Sequence, residues 1–517
     1  MNTYPGLLQY PVPKDKTPLV KGRAPSENRA HDTVPILEAL QQYRGVTRFH
    51  MPGHRGGEGA DPLAVSFLGQ NAFLNDVTGV PGMDDLHEPH GCIAEAEKLA
   101  AEAFGADQTF FSVNGTSGAI HTMALSVLSE GDTVIIPRNI HKSVLSAVIL
   151  SGAKPAFVMP SYDSFLGFDL GVDADSVEAC IRENPSAKAA LLVNPTYYGT
   201  SVDLAPIASA LHRHDMALLV DEAHGPHFRF HPQLPIPALE AGADAVAQGA
   251  HKIIGAFTQA SYLHVKGNLI DRARMKAVFQ YLTSTSPSYL LLASLDLARR
   301  QMVLYGRDLL EYALALAAFL RESVNEIPGL YAFGEESLGK PGADWLDPTK
   351  VTITVRELGI TGFQAETFLR SRFGIQVELS DLYNILVIVS FGNTSDEISK
   401  LLDGLKALTA AVASGEVPKK LLSAQKDIPD MPGVPELALL PRKAVEKPWE
   451  RVLLEESVGR VSAEVVTCYP PGIPLLFPGE VISKDTVSYM EIVKRLAFGI
   501  SGPEDRTLRT LRVVKGL

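Results

Sequence analysis

Between residues 109 and 247 the chain repeats one pattern: a short apolar or β-branched run, a polar cluster, then a stretch of helical character. The runs are Thr109 to Val113, Thr133 to Ile136, Ala189 to Val193, Ala217 to Val220 and Ala243 to Ala247. Strands alternating with helices predict an α/β fold, a mostly parallel sheet sandwiched by helices. Ligands of such sheets bind at the carboxyl ends of the strands. The polar groups after the runs are therefore expected to converge on one edge. They are Asn114-Gly115-Thr116-Ser117, Arg138-Asn139-Ile140-His141-Lys142, Asn194-Pro195-Thr196, Asp221-Glu222-Ala223-His224 and His251-Lys252.

At 517 residues the chain exceeds one ordinary core, so several domains are expected. Residues 1–75 read as a Pro-rich arm with a helix at Pro35 to Tyr43 and a turn-rich segment from His50 to Gly57. Residues 76–325 carry the alternation and form a large domain. Residues 326–415 predict a small α+β domain, from the alternating Val351 to Val355, the run Ile385 to Val389, and helices at Gly362 to Phe373 and Ser395 to Ala413. The Pro-rich residues 416–445 suit an extended linker, and 446–517 form a last module.

Charge and cysteine usage narrow the class. With 47 Lys and Arg against 59 Asp and Glu, a net charge of -12 disfavours nucleic acid as partner and suits a cationic small molecule. Cys92, Cys180 and Cys468 are far apart and have no metal-ligand spacing, which points to a reducing cytoplasm. Met1 to Lys16 lacks the sustained apolar core of a signal peptide, and no apolar run reaches the ~18 residues a membrane span needs. Tyr312 to Leu320 comes nearest and reads as a buried helix.

Within the converging edge, Lys252 follows an apolar run and Asp221 ends another, 31 positions earlier. A desolvated lysine forms imines with aldehydes. A neighbouring carboxylate can hold the protonated ring nitrogen of pyridoxal phosphate. Either residue alone reads equally well as a surface lysine or a helix-capping aspartate. Asn114-Gly115-Thr116-Ser117-Gly118 opens a predicted helix over Ala119 to Leu128, where free amides and two hydroxyls suit a phosphate, or simply cap the helix. His141 can stack on a flat ring or sit in the core. His224 can reach a ring hydroxyl or the substrate. Ser284 and Ser286, in Thr283-Ser284-Thr285-Ser286-Pro287-Ser288, can complete a phosphate cage from a second subunit.

These residues lie in a longer series of ordered motifs. They include Phe49-His50-Met51-Pro52-Gly53-His54, Asp84-Asp85-Leu86-His87, Phe111 to Ala119, Pro137 to Ser143, Asp221 to Gly225, Thr283 to Pro287, and Tyr469-Pro470-Pro471-Gly472-Ile473-Pro474 with Pro478-Gly479-Glu480. In this series the chain resembles the group I ornithine/lysine/arginine decarboxylases, pyridoxal-phosphate enzymes with the aspartate aminotransferase fold (fold type I). It is most similar to their short, biosynthetic bacterial arginine decarboxylases. The resemblance implies Lys252 as the imine lysine, Asp221 on the pyridine nitrogen, His141 on the ring, and Gly115, Thr116, Ser117 and His251 around the phosphate. One departure stands out: Gly249-Ala250 replaces the hydroxyl that many members carry shortly before the lysine. The long N-terminal receiver-like domain of the acid-inducible members is also missing, which implies a homodimer or a small multiple of it.

The resemblance implies decarboxylation of a basic amino acid, with arginine giving agmatine for polyamine synthesis, and lysine or ornithine as alternatives. Cleavage of the carboxylate bond requires little positive charge beside it. Aminotransferases of this fold grip that carboxylate with an arginine, whereas the similar run here is Ser390-Phe391-Gly392-Asn393. His224 and Lys252 are candidate proton donors to Cα. Glu378 with Asp381 would form a fork for a guanidinium, and Asp84 and Asp85 are further candidate acids; all four read as well as capping groups. An aminotransferase, a lyase or a non-catalytic pyridoxal-phosphate binder on the same scaffold are the rivals. A P-loop reading of Gly334 to Lys340 fails because Pro341 replaces the magnesium-binding hydroxyl, and Pro52 and Gly53 break the helix a His50/His54 metal site needs, so no metal is expected.

Overall fold

A computed structural model describes residues 29–419, 432–469, 473–495 and 499–517. The Pro-rich start, the middle of the expected linker and residues 470–472 of the Tyr469 to Pro474 motif lie outside the described residues. Seven strands form the main sheet: β1 (Gln108–Ser112), β2 (Thr133–Pro137), β3 (Lys154–Val158), β4 (Ala189–Val193), β5 (Ala217–Asp221), β6 (Ala245–Gln248) and β7 (Ser261–Val265). Their order is β1-β7-β6-β5-β4-β2-β3, and β7 alone runs antiparallel to its neighbours. The expected α/β architecture is present, and two strands, β3 and β7, are additions to the expected set. Lys154-Pro155 opens β3, and a proline fits there because β3 is an edge. His264 interrupts the apolar signature of β7, yet it is fully buried and bonded to Thr109 and Gln248.

Side chains alternate along these strands, and the alternation splits the core in two. Val134, Ile136, Ala189, Leu191, Ala217 and Leu219 face one layer. Ile135, Ala190, Leu192, Leu218 and Val220 face the other. Helices cover both. Gly115–Val127 and Lys142–Ser151 lie on the first face, and Ala174–Glu183 and Leu204–His212, capped by Asp173 and Asp203, lie on the second.

A second sheet, wholly antiparallel, contains β8 (Tyr331–Ala332), β9 (Lys350–Thr354), β10 (Leu379–Ser380) and β11 (Asn384–Ile388) in the order β8-β9-β11-β10. Helices Gly362–Phe373 and Ser395–Ala413, each started by a threonine capping box, pack on it. The two sheets are tied twice. The helix Tyr289–Asn325, about 55 Å long at 1.5 Å per residue, begins in the first core and ends in the second. Its apolar centre, Tyr312 to Leu320, is the part legible as a buried helix. A two-residue ladder pairs Thr200–Ser201 with Trp345–Leu346 and lays the start of β9 against the carboxyl edge of the main sheet.

The last module holds the strand pair Trp449–Leu453 with Thr510–Val514, and Val466–Tyr469 between Ile473–Leu476 and Gly499–Ser501. It is clamped to the main sheet by Arg138, whose guanidinium donates to both carboxylate oxygens of Glu480, at 2.5 and 2.9 Å, and lies 4.5 Å from the ring centres of Phe157 and Phe477. Residues 441–446, at the end of the expected linker, form a helix instead. Arg442 bonds it to the carbonyl of Ile149. Among the described residues no helix is long and apolar enough to cross a membrane.

Both members of the Arg138–Glu480 pair are buried. Glu480→Ala, which strands the guanidinium, is expected to lower stability by ~3–5 kcal/mol, and Arg138→Met with Glu480→Leu to recover most of it. Urea unfolding midpoints of the unaltered protein and the two variants check this.

Candidate active site

Asp221 is the last residue of β5, in register with Val193 of β4 and Ala247 of β6. The chain turns sharply after it, because Ala223 N–H donates to Asp221 Oδ1 at 3.1 Å and Gly249 N–H donates to Ala223 O at 3.2 Å. Past Gly249 the short helix Ala250–Ile253 swings Lys252 over the same edge. Lys252 Nζ lies 2.8 Å from His224 Nε2. The other imidazole nitrogen, Nδ1, lies 2.9 Å from Nζ of Lys350. The ring of Tyr197 covers the group, 4.5 Å from the imidazole and 5.9 Å from Lys252 Nζ, and its hydroxyl donates to Glu378 Oε1 at 2.6 Å.

Burial sets the protonation of this cluster. It pulls the Lys252 amine below an ordinary lysine, with Asp221 and Glu378 opposing. Burial, then the charges of Lys350 and Lys252, hold His224 far below an ordinary histidine, so its ring is neutral. Burial raises Asp221, while Lys252 and His141 draw it back. His141 is likewise lowered by burial. Its Nδ1 accepts from Ser143 Oγ at 2.7 Å and Ser143 N–H at 3.2 Å, which leaves Nε2 to carry the proton.

The predicted phosphate loop opens the helix Gly115–Val127, four residues before its expected start. Gly115 has φ +69°, a conformation that favours glycine, and its N–H donates to Gln259 O. The Thr116 and Ser117 amides beyond it precede the first i−4 bond, which Gly118 N–H makes to Asn114 O. Thr116 Oγ1 lies 2.9 Å from Ser261 Oγ, which brings a hydroxyl from β7 to the loop. That position explains the Gly249 departure. A Cβ on Gly249 would stand 2.8 Å from Ala223 O and 3.0 Å from Thr116 Oγ1, so a serine does not fit where Thr116 and Ser261 already meet. His251 Nδ1 donates to Ala260 O at 3.0 Å, so its Nε2 can donate to a phosphate only as an imidazolium. Asn114 Nδ2 bonds Leu282 O, drawing the Thr283 to Ser288 loop near; Ser284 and Ser286 there are exposed.

The expected acids separate. Glu378 stays with the lysines, at the open end. Asp381 does not form a fork with it: its carboxylate is buried and accepts from Tyr198 OH, Tyr383 N, Asn384 N and Asn384 Nδ2. Asp84 serves as a helix cap. It accepts from the backbone N–H groups of Asp85, His90, Gly91, Ile93 and Ala94, leading into the helix Cys92–Phe104. Those bonds lower its carboxyl against the upward push of burial. Asp85 accepts from His87 N at the surface. Ser390 and Asn393 bond to each other in a turn before the helix Ser395–Ala413.

Four members of the cluster escaped the sequence. Tyr197 lies just past Asn194-Pro195-Thr196. Ser261 belongs to the unrecognised β7. His121 sits half-buried near His141, and its Nε2 has no partner among the described residues. Lys350 heads an apolar alternation, where a lysine reads as solvated, yet it is 0% exposed.

A half-buried amine, a carboxylate at the adjacent strand end, a fixed imidazole and a hydroxyl-lined helix start suit an aldehyde that carries a phosphate and a basic ring nitrogen. Comparison with known proteins agrees. Residues 34–397 match the model of the Orn/Lys/Arg decarboxylase major domain, and residues 424–504 that of its C-terminal domain. An arginine decarboxylase of Halalkalibacterium halodurans is 47% identical over 90% of this chain and 94% of its own. One of Bacillus subtilis is 44% identical over 94% and 98%. The fold matches the crystal structure of lysine decarboxylase LdcF from Francisella novicida with a TM-score of 0.84, at 22% identity, over 94% of this chain and 82% of that one. From motif order, architecture and these relatives together, the chain belongs to the Orn/Lys/Arg decarboxylase family.

Proposed function

We propose that this protein decarboxylates L-arginine to agmatine and CO2 with pyridoxal phosphate as cofactor. One observation carries the chemistry: a half-buried Lys252 amine, lowered by that burial, against His224, with Asp221 ending the neighbouring strand. The fold is shared with a lysine decarboxylase and does not choose the substrate, whereas 44% and 47% identity to arginine decarboxylases over nearly the whole chain favours arginine.

The residues present fit the cofactor. Lys252 would hold it covalently, Asp221 would hold the proton on its ring nitrogen, His141 would lie on the ring, and Thr116, Ser117 and Ser261 would receive its phosphate. When bound, pyridoxal phosphate supplies an electron sink that lets the bond from Cα to the carboxylate break. Glu378, steadied by the Tyr197 hydroxyl, is placed to bind the guanidinium, which a planar, always-charged group rewards. The turn at Ser390 to Asn393 offers the leaving carboxylate no guanidinium, and this disfavours the aminotransferase reading. In this reading His224 and Lys252, side by side 2.8 Å apart, are the candidate proton donors to Cα.

The assembly we infer is a second copy of the chain over the segment of residues 49–68, where Phe49 is 89%, Phe67 85% and Leu63 77% exposed. Its exposed Ser284 and Ser286 would then approach the neighbouring site. Three scattered cysteines suit a reducing compartment, where we place the reaction.

Four measurements test this reading. Lys252→Ala is expected to lose the visible absorbance band of the bound cofactor and all CO2 release from arginine. Equal kcat/KM for lysine or ornithine in the unaltered protein would overturn the substrate assignment. Glu378→Gln is expected to raise KM for arginine about 10- to 100-fold with kcat nearly kept, the signature of a lost charge-assisted bond. Gly249→Ser is expected to weaken cofactor affinity rather than restore a phosphate contact, measured by titration of the cofactor-free protein.

A further inference from the structure

Past the carboxyl end of β4, residues 196–199 form a turn that is closed twice. Gly199 N–H donates to Thr196 O at 3.1 Å, and Thr196 N–H donates to Thr200 O at 2.8 Å. Gly199 has φ +96°, and its carbonyl accepts from Asp347 N–H at 2.8 Å. The ladder of Thr200–Ser201 with Trp345–Leu346 braces the far side of the turn. Two adjacent tyrosines sit at its tip, and each donates its hydroxyl to an acid flanking β10. Tyr198 donates to Asp381 Oδ2 at 2.7 Å, and Tyr197 donates to Glu378 Oε1 at 2.6 Å.

The two bonds do different things because they differ in burial. Tyr198 and Asp381 are both buried, and Asp381 also accepts from the amides of Tyr383 and Asn384. That inner bond anchors β10 to the main sheet. The outer bond lies in the open, since Tyr197 is 38% exposed and Glu378 is exposed. Backbone pairing of Glu378 N–H with Leu386 O at 2.9 Å fixes where the side chain starts. From there an exposed glutamate has three rotatable bonds and samples many positions. The phenol removes that freedom. Its ring centre lies 4.5 Å from that of His224 and 5.9 Å from Lys252 Nζ, so one flat, rigid side chain spans the gap between the amine and the acid.

We propose that Tyr197 is a positioning residue that determines specificity: with its ring against His224 and its hydroxyl on Glu378, it holds the acid at one distance from Lys252 and so selects the length of the cationic side chain. This rests on the decarboxylase reading, which sets the α-amino end of the substrate at Lys252 and its cation at Glu378. The terminal nitrogens of arginine lie one bond farther from Cα than the ammonium of lysine, and two farther than that of ornithine. An acid held still cannot follow a shorter chain, and the stranded cation loses its partner. An acid free to swing would accept all three, at the cost of ordering itself each time.

The test uses the full-length holoenzyme and Tyr197→Phe, which keeps the ring and removes the hydroxyl. CO2 release is measured with arginine, with homoarginine, one methylene longer, and with lysine. The unaltered protein is expected to favour arginine over both. In Tyr197→Phe the KM for arginine is expected to rise about tenfold with kcat nearly kept, as loss of one charge-assisted bond implies, and both preferences to fall about tenfold. The absorbance band of the cofactor and the urea midpoint are expected to stay; a merely structural role would move the midpoint and leave the preferences. Tyr197→Phe combined with Glu378→Gln is expected to be no worse than Glu378→Gln alone, because the phenol acts only through the acid. Unchanged preferences in Tyr197→Phe, or additive losses in the double variant, overturn the proposal. Affinity for agmatine, measured by calorimetry, reads the same bond without turnover and is expected to fall about tenfold in Tyr197→Phe. If the unaltered protein releases no CO2 from arginine, the reaction falls and agmatine decides the role of Tyr197: a tenfold loss upholds it, and equal affinity overturns it.

Discussion

Everything at the carboxyl edge of the main sheet depends on burying an amine beside an imidazole. The proposed reaction needs Lys252 as a neutral amine, and in water it would be an ammonium. Withdrawing it from water favours the neutral form, but the cost must be limited by partners or the fold would open there. Asp221, Glu378 and His224 supply those partners from separate parts of the chain. The long helix and the Thr200–Ser201 ladder have a chemical purpose in this light. Without them β9 and Glu378 would not reach the edge, and Lys252 would be solvated.

Much of this was legible in the sequence, because the strand ends carry the information. Asp221 and Lys252 end or follow apolar runs, and the period-2 alternation along those runs is the same one that divides the core between the two faces. Helices at Pro35–Tyr43, Gly362–Phe373 and Ser395–Ala413 have the boundaries their sequences predict, since a proline start or a threonine capping box marks each. Lys350, His121 and Ser261 were not legible for a common reason. Each is polar within a segment whose neighbours are apolar, and where a partner exists it lies far away in sequence: 126 positions for Lys350 with His224, 145 for Ser261 with Thr116. Local pattern assigns such residues to the surface.

The acids illustrate the converse error. Asp84, Asp85, Glu378 and Asp381 share the chemistry a cationic substrate needs, and type alone cannot rank them. The structure ranks them by what their oxygens already accept. Asp84 takes five backbone N–H groups, and Asp381 four separate donor groups. Of the four, Glu378 alone combines an ordering bond with proximity to the lysines. A carboxylate saturated by its own fold has no lone pair to offer a guanidinium, however suitable its charge.

The same accounting resolves an apparent conflict in the site. Loss of CO2 is opposed by cations near the carboxylate, yet two lysines flank His224. Lys252 is drawn toward neutrality by burial, and in the proposed enzyme it becomes part of the cofactor linkage. Lys350 stands at Nδ1, on the far side of the ring from Lys252, and Asp347 and Glu378 oppose the downward pull of burial on its amine. The imidazole therefore separates the buried Lys350 from the Lys252 side of the site. Whatever charge Lys350 carries is thereby held behind the ring, away from where it would keep the carboxylate in place.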